Sequence, residues 1–198
     1  MNKEKAPGAG RKLIFFMHTS LDNFVAGLKG EMDWIYVDDE MFDFVATMTE
    51  QADTALYGRV TYEMMQSYWP KAAQQPNATK HDIEHSTWYN KVSKVVLSKT
   101  MKEKELINTK VISENLSEKI NELKKEEGKN ILIFGSPSAS LSLLNSGLID
   151  EFWFFVNPII LGQGMPLFKN VNEKIMLELV ETKKFSGGVI ALHYRTKQ

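Results

Sequence analysis

Three short segments place small, hydroxylic or cationic residues where an apolar run ends. In Gly58-Arg59-Val60-Thr61-Tyr62 a glycine, a cation and a hydroxyl stand where a strand hands over to a helix. That combination suits phosphate. The first helical N–H groups and the helix dipole attract an anion, Gly58 allows close approach, and Arg59 offers a fork of donors. Read alone, the segment is equally a capped helix end with a solvated arginine. Leu97-Ser98-Lys99-Thr100 closes the apolar run that starts at Lys94, and Gly135-Ser136-Pro137-Ser138 follows another apolar run and opens a helix. Each of these also fits plain turn and cap chemistry. Together they would line one edge of a parallel sheet, where open α/β sheets bind ligands, and a phosphate-rich cofactor suits that edge.

Other spellings carry less. His81-Asp82-Ile83-Glu84-His85 has the H-x-x-E-H pattern of inverted zinc metalloproteases. It lies in a polar stretch without an evident further ligand, so it reads as a solvated helical turn and no metal site is expected. Asn77-Ala78-Thr79 has the glycosylation spelling but reads as surface loop, because no secretory leader is recognisable. Trp69, Trp88 and Tyr89 either rim a pocket or pack beneath a long loop or at a subunit contact.

The elements that must hold the three segments follow from periodicity. Lys12 to Met17, Thr54 to Tyr57, Lys94 to Leu97, Asn130 to Phe134 and Glu151 to Val156 are short apolar runs of the buried-strand type. Met41, Phe42, Phe44, Val45 and Met48 recur at helical spacing behind an acidic start at Asp38. Further helices are expected over Val60 to Ser67, stopping before Pro70, over Leu116 to Glu127, closed by Gly128, and over Ser138 to Asn145, capped by Gly147. Pro70 to Ser86 is expected to be a surface excursion with one helical turn. Met176 to Phe185 and Val189 to Arg195, joined by Ser186-Gly187-Gly188, predict a closing hairpin. Alternating strands and helices demand a mainly parallel sheet, so the whole is an α/β fold with a mixed sheet.

Composition sets the outer limits. The 198 residues are 43% hydrophobic and 25% charged, an ordinary globular balance, with a net charge of -1 that gives no field for nucleic acid. There is no cysteine, which removes disulfides, thiolate metal sites and a cysteine nucleophile, and fits a reducing, cytoplasmic setting. No apolar run approaches the roughly 20 residues of a membrane helix, so a soluble protein with no membrane partner is expected. Residues 1–10 read as a disordered tail before one domain over residues 11–198.

Taken in order, the motifs carry a resemblance. Ser20-Leu21-Asp22-Asn23-Phe24-Val25-Ala26-Gly27, Trp34, the three segments above, Gly147-Leu148-Ile149-Asp150-Glu151, and Leu161-Gly162-Gln163-Gly164 with Pro166-Leu167-Phe168 resemble the dihydrofolate-reductase-like superfamily. The branch is that of the C-terminal reductase domain of bacterial riboflavin biosynthesis, and the resemblance spans Arg11 to Arg195. It implies a three-layer αβα fold whose mostly parallel sheet ends in an antiparallel hairpin. It also implies a homodimer that passes a hydride from NADPH to a small pterin-like, pyrimidine-like or other heterocyclic or carbonyl substrate. A nucleotide-binding or dimeric scaffold protein of the same fold, without turnover, is the alternative.

By resemblance, Gly58, Arg59, Val60 and Thr61 would bind the cofactor's phosphates. Leu97, Ser98 and Lys99 would surround its adenosine end and 2′-phosphate. Gly135, Ser136, Pro137, Ser138 and Ala139 would cradle the pyrophosphate, and Met17, His18 and Val25 would touch the nicotinamide. Counted from Trp34, Asp39 falls near the pocket carboxylate of folate reductases and is the candidate proton donor, although an acidic helix N-terminus explains it equally in kind. Asp22 is either functional or a turn residue. Three departures stand out: Ser136 replaces a second glycine, which leaves open whether Gly135-Ser136 is cis; Asp33 precedes Trp34 where folate reductases have proline; and the riboflavin enzyme's Asp-Pro-Leu-Arg signature is absent. Neither parent substrate transfers directly.

Overall fold

From Leu13 to Met17 every side chain of the first strand is buried, as a strand covered on both faces requires. The computed structural model describes residues 10–102 and 106–197; of the tail expected over residues 1–10, all but Gly10 lies outside them. The strands are β1 (Leu13–Thr19), β2 (Phe24–Ala26), β3 (Ala52–Gly58), β4 (Ser93–Leu97), β5 (Thr109–Ile112), β6 (Asn130–Phe134), β7 (Glu151–Val156), β8 (Met165–Pro166), β9 (Leu177–Lys184) and β10 (Ile190–Thr196). The helices are α1 (Asp39–Glu50), α2 (Arg59–Ala72), α3 (Lys80–Lys91), α4 (Leu116–Lys125) and α5 (Pro137–Asn145).

Eight strands form one sheet in the order β5-β4-β3-β6-β1-β7-β10-β9, and β2 pairs separately with β8. The neighbours from β5 to β7 run parallel, whereas β10 is antiparallel to both β7 and β9. Strand alternation sends β1 residues to opposite faces. Ile14 and Phe16 join a core with Met41, Val45, Tyr62 and Tyr89 from α1, α2 and α3. Leu13, Phe15 and Met17 join the other core with Ile120, Leu123, Leu143 and Leu144 from α4 and α5. The result is the three-layer αβα arrangement with a C-terminal hairpin. Phe15, 1% exposed, stands for the packing that holds it, worth about 1.5–3 kcal/mol for such a side chain.

Two expectations are corrected. The second helix does not stop before Pro70 but runs to Ala72. Pro70 sits in the last turn, where its missing N–H costs the helix one internal hydrogen bond, and Ala72 after it is buried. The excursion from Pro70 to Ser86 contains far more than one turn: α3 spans Lys80–Lys91 behind a capping box. Thr79 Oγ1 accepts from the Asp82 N–H at 3.1 Å while Asp82 accepts from the Thr79 N–H at 2.9 Å. His81 and His85 are therefore not a solvated turn. His81 stacks on Phe42 with ring centroids 3.6 Å apart, and His85 lies 4.1 Å from the Trp69 ring. Burial pushes His85 down to about 3, keeping it neutral. Among the described residues no helix is long and apolar enough to cross a membrane.

Candidate active site

The C-terminal edges of β4, β3, β6 and β1 are adjacent in the sheet, and the turns leaving them open into one cleft of about 810 Å³. Gly58, Arg59, Val60 and Thr61 line it at the start of α2, Leu97, Ser98 and Lys99 at the end of β4, and Gly135, Ser136, Pro137, Ser138 and Ala139 at the start of α5. Met17, His18 and Val25 line it as well. The structure thus brings together every residue the resemblance proposed for the cofactor.

The helices differ in how their N-termini are finished. Asp38 caps α1 by accepting from the Met41 N–H at 2.9 Å, and Thr79 caps α3. The three helices that begin at the cleft, α2, α4 and α5, have no side-chain cap. Their first N–H groups, which form the positive end of the helix dipole, have no side-chain cap, which is the condition for holding an anion. Arg59 adds charge at this end, although its guanidinium now pairs with Glu63 at 2.9 Å on the helix surface. An exposed pair of that kind is worth at most about 1 kcal/mol and yields readily to a phosphate. Lys99 is exposed and has no ion-pair partner among the described residues. Ser98 Oγ is turned into its own loop, accepting from the Met101 N–H at 3.0 Å.

Gly135 and Ser136 are both left-handed, with φ of 55° and 57°, and the described residues contain no cis peptide bond. A non-glycine residue rarely adopts this conformation. Here the side chain secures it: Ser136 Oγ accepts from the Gly58 N–H at 2.9 Å and donates to the Phe134 carbonyl at 3.1 Å. The hydroxyl ties the end of β3 to the end of β6, so it is a built part of the turn.

Much of the remaining lining is apolar, with Phe16, Val25, Met32, Ile35, Met65 and Met165, and its polar side chains include His18, Ser113, Glu114 and Ser142. Met32 and Met165 are 41% and 46% exposed. His18 lies 5.0 Å from the Phe155 ring and 5.5 Å from the Phe16 ring, and burial lowers its pKa to about 4. Its Nδ1 is 3.4 Å from Asn157 Nδ2.

Asp39 does not line the cleft. It begins α1 next to the capping Asp38 and is exposed, the helix-N-terminus role that competed with proton donation. Asp22 is a loop tie: its carboxylate accepts from Ser20 Oγ and from the N–H groups of Leu161 and Gly162. Trp69, Trp88 and Tyr89 pack between helices and do not line the cleft; Trp88 donates to the Thr49 carbonyl at 3.1 Å. The lining contributed by Ile112, Ser113, Glu114 and Leu116 was not anticipated, because β5 is four residues long with one fully buried side chain. The methionines Met32, Met64, Met65 and Met165 were also missed, since flexible apolar side chains read equally as core.

Comparison with known proteins places this geometry in context. The family described as the RibD C-terminal domain matches residues 11–191. The Bacillus subtilis (strain 168) protein YyaP, itself uncharacterized, is 36% identical over 189 residues, covering 93% of this chain and 94% of its own. Among solved structures, a putative riboflavin biosynthesis protein from Shewanella sp. PV-4 is similar with a TM-score of 0.72 and 24% identity, over 94% of this chain and 99% of that one. The dihydrofolate reductase of Enterococcus faecalis, solved with NADP(H), is similar with a TM-score of 0.61 and 15% identity, over 94% and 97% of the two chains. At these identities the structural likeness is one of fold.

Proposed function

We propose a function from one premise: the chain belongs to the RibD C-terminal domain family. The protein is an NADPH-dependent reductase that delivers a hydride to a C=O or C=N bond of a small pterin-like, pyrimidine-like or other heterocyclic or carbonyl substrate. The observation that carries this reading is the contrast in helix caps. The two helices away from the cleft are closed by their own side chains, and the three at the cleft are left open beside Arg59 and Lys99.

NADPH bound there supplies the hydride. The chain's own residues do the rest. The first turns of α2 and α5 hold the phosphates, Arg59 and Lys99 meet the 2′-phosphate end, and Met17, His18 and Val25 form the floor against which the reacting ring lies. The apolar walls exclude water from the transfer and align the two reactants. A homodimer in a cytoplasmic setting completes the proposal.

Titration of the protein with NADPH and NADH, read by thermal unfolding, tests it. NADPH in hundredfold excess over its Kd should stabilise the fold by about 2.7 kcal/mol. Arg59→Ala should weaken NADPH by about tenfold while leaving NADH nearly unchanged, the loss of one charge-assisted contact. No stabilisation by either nucleotide at large excess would refute the reductase reading.

A further inference from the structure

Resting on that reading, we propose that the acceptor is a flat, uncharged, largely apolar carbonyl compound, whose oxygen receives a hydrogen bond from His18 Nε2–H. Two observations carry this. The first is the lining. Away from the turns that open on helix N-termini, the lining is mostly apolar, with Phe16, Val25, Met32, Ile35, Met65 and Met165, and two polar side chains join it: Ser142, whose hydroxyl already donates to the Ser138 carbonyl at 3.1 Å, and His18. The acidic lining residue, Glu114, is at the β5–α4 turn, outside this wall. An amidine-like or phosphorylated ring placed here would lose its hydration without a counter-charge, at a cost of several kcal/mol.

The second is the orientation of the imidazole. Asn157 is 1% exposed, and its amide is fixed on both sides. Oδ1 accepts from the Tyr36 N–H at 3.0 Å, while Nδ2 donates to the carbonyls of Phe155 at 3.0 Å and Thr19 at 3.2 Å. The same Nδ2, which can only donate, faces His18 Nδ1 at 3.4 Å. Both Nδ2 protons are taken by those carbonyls, and a proton on Nδ1 would point at the same donor group, so we place the proton of the neutral ring on Nε2. Nε2 has no partner among the described residues, and the ring lines the cleft. The depressed pKa agrees with a ring that stays neutral at physiological pH.

A neutral imidazole is a hydrogen-bond donor and not an acid at this pH. In the step proposed, the hydride of the reduced nicotinamide dinucleotide forms a C–H bond at the carbonyl carbon, and the C=O π pair moves onto oxygen. His18 Nε2–H stabilises that oxygen and keeps its own proton. Once the transfer is complete, water entering from bulk solvent protonates the alkoxide and leaves as hydroxide, which the buffer neutralises, so the products are the alcohol and the oxidised dinucleotide. His18 is thus a catalytic residue through contact with the reacting oxygen, and Asn157 a positioning residue that acts through His18.

The test pairs a neutral aldehyde with its analogue bearing one carboxylate. 2-Naphthaldehyde and 6-formyl-2-naphthoate are titrated into the protein saturated with NADP⁺, by calorimetry, and then assayed with NADPH. The neutral aldehyde is expected to bind at least about 100-fold more tightly than the carboxylate, since an unpaired charge must be buried in the second case. His18→Phe should lower kcat by about 100-fold with a smaller change in the KM for the aldehyde, the loss of one preorganised donor at a developing oxyanion. His18→Gln, which retains an N–H donor, should recover part of that loss. Equal affinity for the two probes, no binding of the neutral probe, or unchanged kcat in His18→Phe would overturn the inference. Any of these results obtained with NADPH still stabilising the fold leaves the reductase reading standing.

Discussion

The two edges of the sheet treat charge in opposite ways. Where the parallel strands begin, polar groups are closed off against one another. Arg11, with a side chain 4% exposed, bonds to Asp53, Thr54 and the Lys129 carbonyl, and Lys124 meets Asp150 at 2.7 Å. Glu151 is held by Lys12 and by His193 at 3.1 Å. Burial alone would raise the Glu151 carboxyl, and the hydrogen bonds from His193 and Lys12 outweigh it, keeping it below the ordinary range. Where the same strands end, helix N-termini are uncapped, Lys99 stands alone among the described residues, and His18 keeps one nitrogen free. One edge maintains the fold, and the other presents polar groups to solvent. Stability and binding are therefore separable by position along the strands.

The largest expected effect breaks the closed edge. Arg11→Met removes the centre of its hydrogen-bond cluster and leaves Asp53 without its cation. Unfolding in urea should show a loss of about 3 kcal/mol, while the fraction that remains folded binds nucleotide normally. Weakened binding by folded Arg11→Met would show that the two edges are coupled.

Acid should sharpen the contrast next. His18 and His85 have folded pKa values of about 4 and about 3, below the ordinary 6.5. In this window the unfolded chain binds more protons than the folded one, so stability is full above pH 6.5 and falls as pH drops toward 4. The loss at pH 5 is at most about 2 kcal/mol for each histidine. His85→Phe, which keeps an aromatic ring against Trp69, should remove about half of the difference between pH 7 and pH 5 in denaturant midpoints. An unchanged pH slope would mean that His85 is protonated in the folded protein.

The smallest expected effect lies in the open edge. Ser136→Gly relieves a left-handed residue, worth about 1 kcal/mol, and loses the hydroxyl's bridge between Gly58 and Phe134, worth a similar amount. Stability should change by less than about 1 kcal/mol, and a calorimetric titration should show nucleotide affinity within about threefold. A large loss would show that the hydroxyl itself is required by the bound phosphate.

Much of this contrast could be read in the residues. Apolar runs such as Asn130–Phe134 and Glu151–Val156 matched their strands because parallel strands buried on both faces have no polar alternation to blur them. The turns that open on the cleft were legible for a related reason, since Gly58 and Gly135 stand at abrupt changes of period. The α3 helix was not, because its residues are polar and its signal was the Thr79–Asp82 capping box rather than periodicity. The apolar end of the cleft escaped for a different cause. It is assembled from residues far apart in the chain, from Phe16 to Met165, each indistinguishable from core by type. The placement of Asp39 at the exposed start of α1 depended on which of three consecutive acids caps the helix, a one-residue question that spacing from Trp34 does not resolve.

The Ser136 hydroxyl that holds the Phe134 carbonyl also reaches Gly58, 78 residues away in sequence. It acts as a clasp that fixes how far apart two turns stand before any visitor arrives. A dinucleotide docking there pays little ordering entropy, so its capture should be set by diffusion and by the pull of Arg59 and Lys99, slowing as salt is added.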